Sequence, residues 1–599
     1  MSHPKAALSA LAVLLVAACG SDAAPTPAPT PDNVVASVTI DGPTALTFQT
    51  LGRTRTLAAT ARNAAGDAVS GATITWTRSS TSVVSVGSDG TVTALANGTA
   101  TVTANVLGKT ASVEVTVAQV PAGLTLTSPS QTLSQVGAAT QLTATVTDSN
   151  QRAIPGQAIT WESSDQAVLR VNAQGVASAL REGTAIITAR AGTRSQSLPF
   201  TVAASGPVGG SLLGTARPCT GGSIGPFPCT NVTLLAYLPH GAFGAPNSVT
   251  MNDIWGWTDP QTGKEIAIAL RNDGAVFIDV STPTAPVYLG WMPIPPGATP
   301  NAWHDVKVYQ NHAFVVADGA GQHGMQVFDL ARLRAFDGVP QEYQADVIYR
   351  GVASVHNIAI NEATGRAYLV GSNAGGTSCA GGLHMVNIQQ PKNPVFAGCF
   401  NEVGTGRSGN GYTHDTQCVI YSGPDATHQG REICFLANET HVVIADVTAG
   451  SAPKALGKAS YPNVRYTHQG WLSADQRYFY VNDELDEGAG VPGTRTLIWD
   501  VSNLDDPILV KQDFGPTTAT DHNLYIRGTR LFSSNYQYGL RVLDISNPTS
   551  PVQVAHLDTA PTSPNTPGYS GTWSNYPFFA SGIVVMTSSK EGFFVLRVE

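Results

Sequence analysis

A thirteen-residue pattern, Gly-x-x-x-x-Asp-[Val/Ile]-Ser-x-Pro-x-x-Pro, runs from Gly274 to Pro286 and again from Gly539 to Pro551. Thr496–Pro507 is a close variant, and Gly324–Leu330, Gly382–Pro394 and Thr440–Pro453 are looser copies. Gly592–Val598 is a last half-copy, and successive starts lie 50, 58, 58, 56, 43 and 53 residues apart. Short apolar runs repeating every 40–60 residues predict a β-propeller with one four-stranded blade per repeat. In each copy the run typified by Val276-Phe277-Ile278 reads as a fully buried strand. The Asp-x-Ser-x-Pro that follows reads as a turn, with Asp or Ser bonding nearby backbone and Pro pre-setting φ. Seven such units predict seven blades. The seventh lacks a following strand, and Asn231–Leu238 is apolar enough to supply it and remove the exposed edge.

A second repeat precedes the first. Ile74-Thr75-Trp76 recurs as Ile159-Thr160-Trp161, and Asn97-Gly98-Thr99-Ala100 as Glu182-Gly183-Thr184-Ala185, both 85 residues on. Alternating Val/Thr/Ile runs such as Gly98–Val106, broken by Asp89-Gly90 and Gln174-Gly175 turns, predict a β-sandwich for each copy. The single Trp of each copy is expected in its core. Ile74–Val117 and Ile159–Val202 resemble the bacterial immunoglobulin-like group 2 domain, which implies a stalk; neither copy carries a catalytic constellation.

The N-terminus reads as an address. Met1–Lys5 carries one Lys, and Ala6–Ala18 is apolar or small apart from Ser9, the pattern of a signal peptide. Val16-Ala17-Ala18-Cys19 resembles the bacterial lipobox, in which the Cys becomes the lipidated first residue. That resemblance, with Gly20 rather than Asp after Cys19, implies an outer-membrane or cell-surface lipoprotein, and acyl chains on one Cys suffice for anchoring. The Pro-rich stretch after Cys19 reads as an extended spacer. The domains expected are therefore signal peptide 1–18, lipidated Cys and spacer 19–33, Ig-like domains 34–118 and 119–204, and propeller 205–599. The fold class is all-β.

Six cysteines remain once Cys19 is set aside. An even number in an exported chain suggests disulfides, and sequence neighbours suggest Cys219–Cys229, Cys379–Cys399 and Cys418–Cys434. Fifteen pairings exist on paper; a Cys-based zinc site is the alternative, although no CxxC occurs. The net charge is −9 with scattered basic residues, so no electrostatic footprint for nucleic acid is visible. Charged residues are only 13% of the chain, which rules out a highly charged disordered protein.

Residues 205–599 resemble the LVIVD-repeat proteins, and more closely the choice-of-anchor B family, through Val276–Ser281, Leu540–Ser546 and the Trp303-His304-Asp305 element. The resemblance implies location and fold, and no defining activity.

One constellation bears on chemistry. Upstream of each motif copy stands a polar pair: Asn252-Asp253, His304-Asp305, His356-Asn357, His414-Asp415, His468-Gln469, His522-Asn523 and Ser574-Asn575. The steps are 52, 52, 58, 54, 54 and 52 residues, and each pair opens an alternating apolar run. These runs read as the innermost strand of each blade, with the pairs around one mouth of the central pore. The loops between second and third strands bring Asp318, Asn438-Glu439, Asn482-Asp483-Glu484, Asp486-Glu487 and Asn535 to the same mouth. His304, Asp305, His356, His414, Asp415, His468, Asp483, Glu484 and His522 are thus candidate ligands for a divalent metal or a polar ligand. His414 and His468 with the Asp483-Glu484 loop form the most compact subset. A metal there could activate water or polarise a carbonyl. The plainer reading is that each pair satisfies backbone groups at the entry to a blade.

Other signals fail their context. Gly404–Gly409 matches GxGxxG but leads into a strand pattern, not a helix. Asp483–Gly488 lacks the alternating oxygen spacing of an EF-hand and reads as a solvated loop. Cys379 and Cys399 read as a structural pair rather than a redox pair, and Ala560–Gly571 as a long loop. The function expected is cell-surface display of a ligand-binding propeller on an Ig-like stalk, with the membrane as partner through Cys19 and a surface glycan or protein as ligand. Enzymatic activity is the lesser expectation: a metal-dependent hydrolase or lyase using the His ring.

Overall fold

The computed structural model describes residues 33–133, 138–180, 183–203, 208–245 and 248–599. The signal segment 1–18, Cys19, the spacer up to residue 32 and Glu182 of the second repeat lie outside the described residues. The described chain is nearly all β-strand, and its helical pieces are short 3-10 turns such as Leu330–Ala335 and Glu487–Ala489. Among the described residues, no helix is long and apolar enough to cross a membrane. Contacts divide the chain into two compact units: the first repeat copy through Leu124 with Thr145–Gln157, and Thr125–Ala144 with Ala158–Glu599.

In the first unit, Ala45–Phe48, Lys109–Val117, Gly98–Val106 and Thr75–Arg78 form one sheet in that order. Thr54–Thr56, Thr91–Ala94 and Val84–Val86 form a second. Alternation drives the packing: in Gly98–Val106, Ala100, Val102, Ala104 and Val106 are buried while Thr99 and Thr101 are exposed. Trp76 is half-buried against this core. A Cβ on Gly90 would lie 3.1 Å from the Trp76 ring and 2.3 Å from the Leu57 carbonyl, so the turn glycine is required where the chain crosses the indole. In the second unit, the equivalent strands of the second copy pair in the same order, and Gly175 sits on Trp161 in the same way.

From residue 251 onward the second unit builds seven sheets of four to six strands in succession among the described residues, with a small two-stranded sheet, Val352–Ser354 with Ala374–Gly376, beside the third. The fourth is typical: Asp415–Ile420, Glu432–Ala437, Val442–Asp446 and Lys454–Ala459 pair antiparallel in chain order. Strands between two neighbours in a sheet, with further sheets above and below, lose all exposure. Glu265–Arg271 and Gly274–Asp279 are buried at every residue. That burial on both faces explains why so few residues of the chain are charged. The repeated Asp-x-Ser is an Asx turn in the first, fifth and sixth sheets: Asp279, Asp500 and Asp544 accept from the backbone N–H of Ser281, Ser502 and Ser546 at 3.0, 2.9 and 2.8 Å.

The first strand of each sheet lies against the first strand of the next, and Thr572–Tyr576 of the seventh lies against Met251–Thr258 of the first. The seventh sheet is completed by Val232–Leu238, which pairs antiparallel with Gly592–Val598. Cys219–Cys229, Cys379–Cys399 and Cys418–Cys434 are disulfide-bonded, the last across two adjacent antiparallel strands.

Tyr237 anchors the completing strand. It is fully buried, its ring lies 5.2 Å from Phe227 and 4.8 Å from Phe594, and its hydroxyl donates to the Glu591 carbonyl at 2.9 Å. Tyr237→Ala should therefore cost about 3–5 kcal/mol, the usual loss for a buried aromatic. Urea unfolding measures this, and a change under about 1 kcal/mol would contradict the anchoring role.

Candidate functional site

The starts of the inner strands converge on a cavity of about 500 Å³. All five histidines of the repeated pairs line it: His304, His356, His414, His468 and His522. Four form a continuous arc, with ring centroids 4.2 Å apart from His356 to His414, 4.3 Å to His468 and 4.6 Å to His522. Glu484, directly after the strand Tyr478–Asp483, faces them. Its carboxylate lies 3.7 Å from His468 Nε2 through Oε2 and 3.8 Å from His522 Nε2 through Oε1, and accepts from the Tyr536 hydroxyl at 3.0 Å.

The backbone fixes how the imidazoles point. His414 Nδ1 donates to the His468 carbonyl at 3.0 Å, and His522 Nδ1 to the Trp573 carbonyl at 2.6 Å. A carbonyl only accepts, so both rings carry their proton on Nδ1 and leave Nε2 as a lone-pair donor. His356 Nδ1 instead meets Asp318 Oδ2 at 3.0 Å. Burial opposes ionisation of Asp318, but bonds from His356, Ser354 and Asn373 outweigh it and hold the carboxyl down at about 2. An imidazole whose far nitrogen is held by a carbonyl or carboxylate is the usual arrangement of a metal-ligating histidine.

Electrostatics point the same way. Burial, with repulsion from neighbouring imidazoles, pushes His414 and His468 well below the ordinary histidine value. Burial lowers His522 to about 3; burial together with His323 does the same to His304. Burial also raises Glu484 to about 7. His414, His468 and His522 are therefore neutral near pH 7, the state in which imidazole binds metal without first losing a proton. One ligand atom from each of His414, His468 and Glu484 lies within 4.8 Å of the others. The 3.7 and 3.8 Å separations exceed a hydrogen bond and approach the roughly 3.4 Å between ligands about 2.1 Å from a tetrahedral ion. His522 Nε2, 3.8 Å from Glu484 Oε1, borders this group.

Asp305, Asp415 and Asp483 are not among the residues lining this cavity, in contrast to the sequence expectation. In the His304-Asp305, His414-Asp415 and His468-Gln469 pairs only the histidine lines the cavity, as alternation along a strand gives, whereas both members of His356-Asn357 and His522-Asn523 line it. Asp305 Oδ2 accepts from the Ile358 N–H of the next inner strand at 2.8 Å, and its Oδ1 takes Lys307 Nζ at 2.6 Å. Burial disfavours the Lys307 charge, but Asp305, Asp253 and Asp415 outweigh it and raise the ammonium. Asp415 lines a second cavity, of about 850 Å³, formed by later residues of the same strands with Trp255, Trp471 and Tyr525. Asp483 is buried and accepts from Arg465 N, Tyr466 N and the Tyr461 hydroxyl at 2.7, 2.8 and 2.9 Å.

The expectation that the pairs satisfy backbone groups also holds. Gln469 accepts from Leu524 N at 2.9 Å, and Asn357 donates to the His414 carbonyl at 3.2 Å. Tyr412, Tyr466, Tyr536, Tyr569 and Trp573 line the cavity without having been singled out in the sequence. Tyr412 and Tyr466 stand two residues before His414 and His468, ahead of the strands that begin at Asp415 and Thr467, where no strand period assigns a face. Tyr569 comes from the long loop at 560–571.

The profile of the bacterial Ig-like domain (group 2) matches residues 124–202, and that of the LVIVD repeat matches residues 535–559. Among curated proteins none matches the chain. Among solved structures, a protein from Lactobacillus plantarum is 13% identical, covering 56% of this chain and 88% of that one, with a TM-score of 0.38. A functionally unknown protein from Desulfotomaculum acetoxidans is 14% identical, covering 51% and 85%, with a TM-score of 0.35. Domains 5–6 of the S-layer protein SbsC are 20% identical, covering 28% and 97%, with a TM-score of 0.14. At TM-scores this low, the likenesses fix neither architecture nor function. The two matched repeats and the three disulfides fit a cell-surface, β-rich protein.

The neutrality of His414, His468 and His522 has a direct spectroscopic consequence. At pH 5 an ordinary histidine is mostly protonated. His414, His468 and His522 should remain neutral there, with His414 and His522 as Nδ1–H tautomers. Nitrogen-15 NMR of histidine-labelled protein reads this, and three imidazolium signals at pH 5 in the folded protein would refute the burial argument.

Proposed function

We propose that the chain is a lipid-anchored cell-surface protein whose head is a seven-bladed β-propeller holding a transition-metal ion at the His414–His468–Glu484 cluster, with His522 as fourth ligand. The observation that carries this reading is the set of buried neutral imidazoles aimed at one carboxylate. Mixed nitrogen and oxygen donors at this spacing suit zinc, iron or manganese better than calcium. The propeller is supported by the cyclic contact of seven inner strands and by the sheet completed from both ends of the repeat region. The choice-of-anchor B resemblance and the Cys19 lipobox support the surface address, and the Ig-like copies serve as the stalk.

Tyr412, Tyr466, Trp303 and Tyr569 line the same cavity as the cluster. The exposed Trp303 and Tyr569 suit stacking of a glycan or a protein side chain at the mouth. The leading role is thus recognition of a surface ligand over a bound metal. A bound metal with an open position would also supply Lewis-acid activation of water, the route to a hydrolase.

The test is metal content. The exported chain with Cys19→Ala, purified gently, should carry close to one equivalent of zinc, iron or manganese by mass spectrometry. The His414→Ala/His468→Ala variant should retain less than about a tenth of it, since each lost ligand typically costs at least tenfold in affinity. Metal-free wild-type protein, or unchanged occupancy in the folded double variant, would remove the metal reading.

A further inference from the structure

The later residues of the inner strands enclose the second cavity, of about 850 Å³, and all seven sheets contribute to its wall. That volume lies in the upper part of the range for small-ligand sites, about 300–1,000 Å³. One side of the wall is aromatic. Trp471 of the fifth sheet, Tyr525 of the sixth, Tyr576 and Phe578 of the seventh and Trp255 of the first follow one another around the ring. Centroids lie 5.1 Å apart from Trp471 to Tyr525, 5.7 Å from Tyr525 to Trp255 and 5.1 Å from Trp255 to Tyr576. Phe578 lies 5.9 and 6.1 Å from the two indoles. This mutual packing holds the rings in place before any ligand arrives. A Cβ on Gly256 would lie 2.1 Å from the Tyr576 ring, so the glycine beside Trp255 is what admits that ring. Trp257 is buried and its Nε1 donates to Asn311 Oδ1 at 3.0 Å. Trp255 and Trp471 are only half-buried, and their indole N–H groups have no partner among the described residues.

The other side is polar. Gln417 Oε1 accepts from Leu472 N at 2.8 Å and Gln469 Oε1 from Leu524 N at 2.9 Å. Both Nε2 groups are left without a partner among the described residues, although Gln469 is only 3% exposed. Asp415 Oδ1 accepts from Thr416 N at 2.6 Å, and its Oδ2 is left over. Burial and the nearby Asp305 raise this carboxyl well above its ordinary value and favour its neutral form. Lys307 is already paired: its Nζ lies 2.6 Å from Asp305 Oδ1 and 4.6 Å from the Trp255 ring centroid. We infer that this second cavity is a saccharide-binding site, separate from the histidine cavity and independent of any metal there. A sugar hydroxyl both donates and accepts, so it suits amide N–H groups and a carboxyl oxygen side by side. The C–H face of a sugar ring is apolar and lies flat on an aromatic ring. A Pro-rich segment would present ring faces and carbonyls, and would leave Asp415 without a donor. An anion would find Lys307 already taken by Asp305. The volume suits an oligosaccharide rather than a single sugar.

The test uses the exported Cys19→Ala chain with chelator present throughout, so that a metal at the histidine cluster takes no part. Cellotetraose, maltotetraose, xylotetraose, mannotetraose and chitotetraose are titrated by calorimetry, with a decaproline peptide for comparison. At least one saccharide should bind with a Kd below about 1 mM. Trp471→Ala should weaken that binding at least about tenfold. Gln417→Glu keeps the acceptor for Leu472 N and removes the N–H donor; it should weaken binding at least about threefold. If Trp471→Ala does not fold, Gln417→Glu decides alone. Binding unchanged in the folded variants would place the sugar elsewhere and overturn the inference. So would the absence of saccharide binding up to about 10 mM, or binding of decaproline in its place.

Discussion

The bond from His414 Nδ1 to the carbonyl of His468 serves two purposes at once. It joins the starts of two successive inner strands, and it fixes the tautomer that leaves Nε2 facing the cavity. His522 repeats the arrangement against Trp573, while Asp305 and Gln469 make the reciprocal link by accepting from Ile358 N and Leu524 N. Inner strands that meet edge on leave backbone groups that water cannot reach, so these side chains are obligatory partners. The cavity chemistry is a by-product of that obligation: whichever nitrogen is used for the neighbour's carbonyl, the other is left over. A structural role and a ligand role for the same histidine are therefore compatible.

Much of this was legible in the sequence, for identifiable reasons. The buried Val276-Phe277-Ile278 strand, the Asp279–Ser281 turn and the pairing of Val232–Leu238 with Gly592–Val598 follow from local pattern. The histidines were legible because a repeat puts equivalent residues at equivalent places. The side-chain direction was not, since a period of two gives His414 and Asp415 equal claim until the register is known. Tyr412 and Tyr466 were not legible, because they stand just ahead of the strands that begin at Asp415 and Thr467, where no period of two assigns a face.

The Asp483–Gly488 loop was misread because acidity was equated with solvation. Hydropathy cannot report that Arg495, eight residues beyond Glu487, folds back to hold Asp486, or that Asp521 arrives from another sheet. Long-range partners of this kind lie outside any window read along a chain. The composition hinted at the opposite lesson: with only 13% charged residues, a protein made of stacked sheets has few ionic groups to spend on solubility alone.

The completed seventh sheet carries a consequence for the order of folding. Val232 pairs with Val598, and Leu238 with Phe593, so that sheet joins segments hundreds of residues apart. The three disulfides span only 10, 20 and 16 residues and cannot hold those segments together. During synthesis and export, six sheets can form in turn, yet the strand at 232–238 must wait for the last strand to emerge. Until then its edge is open to any other chain that offers one. Loss of Gly592–Val598 would leave the strand at 232–238 without its partner.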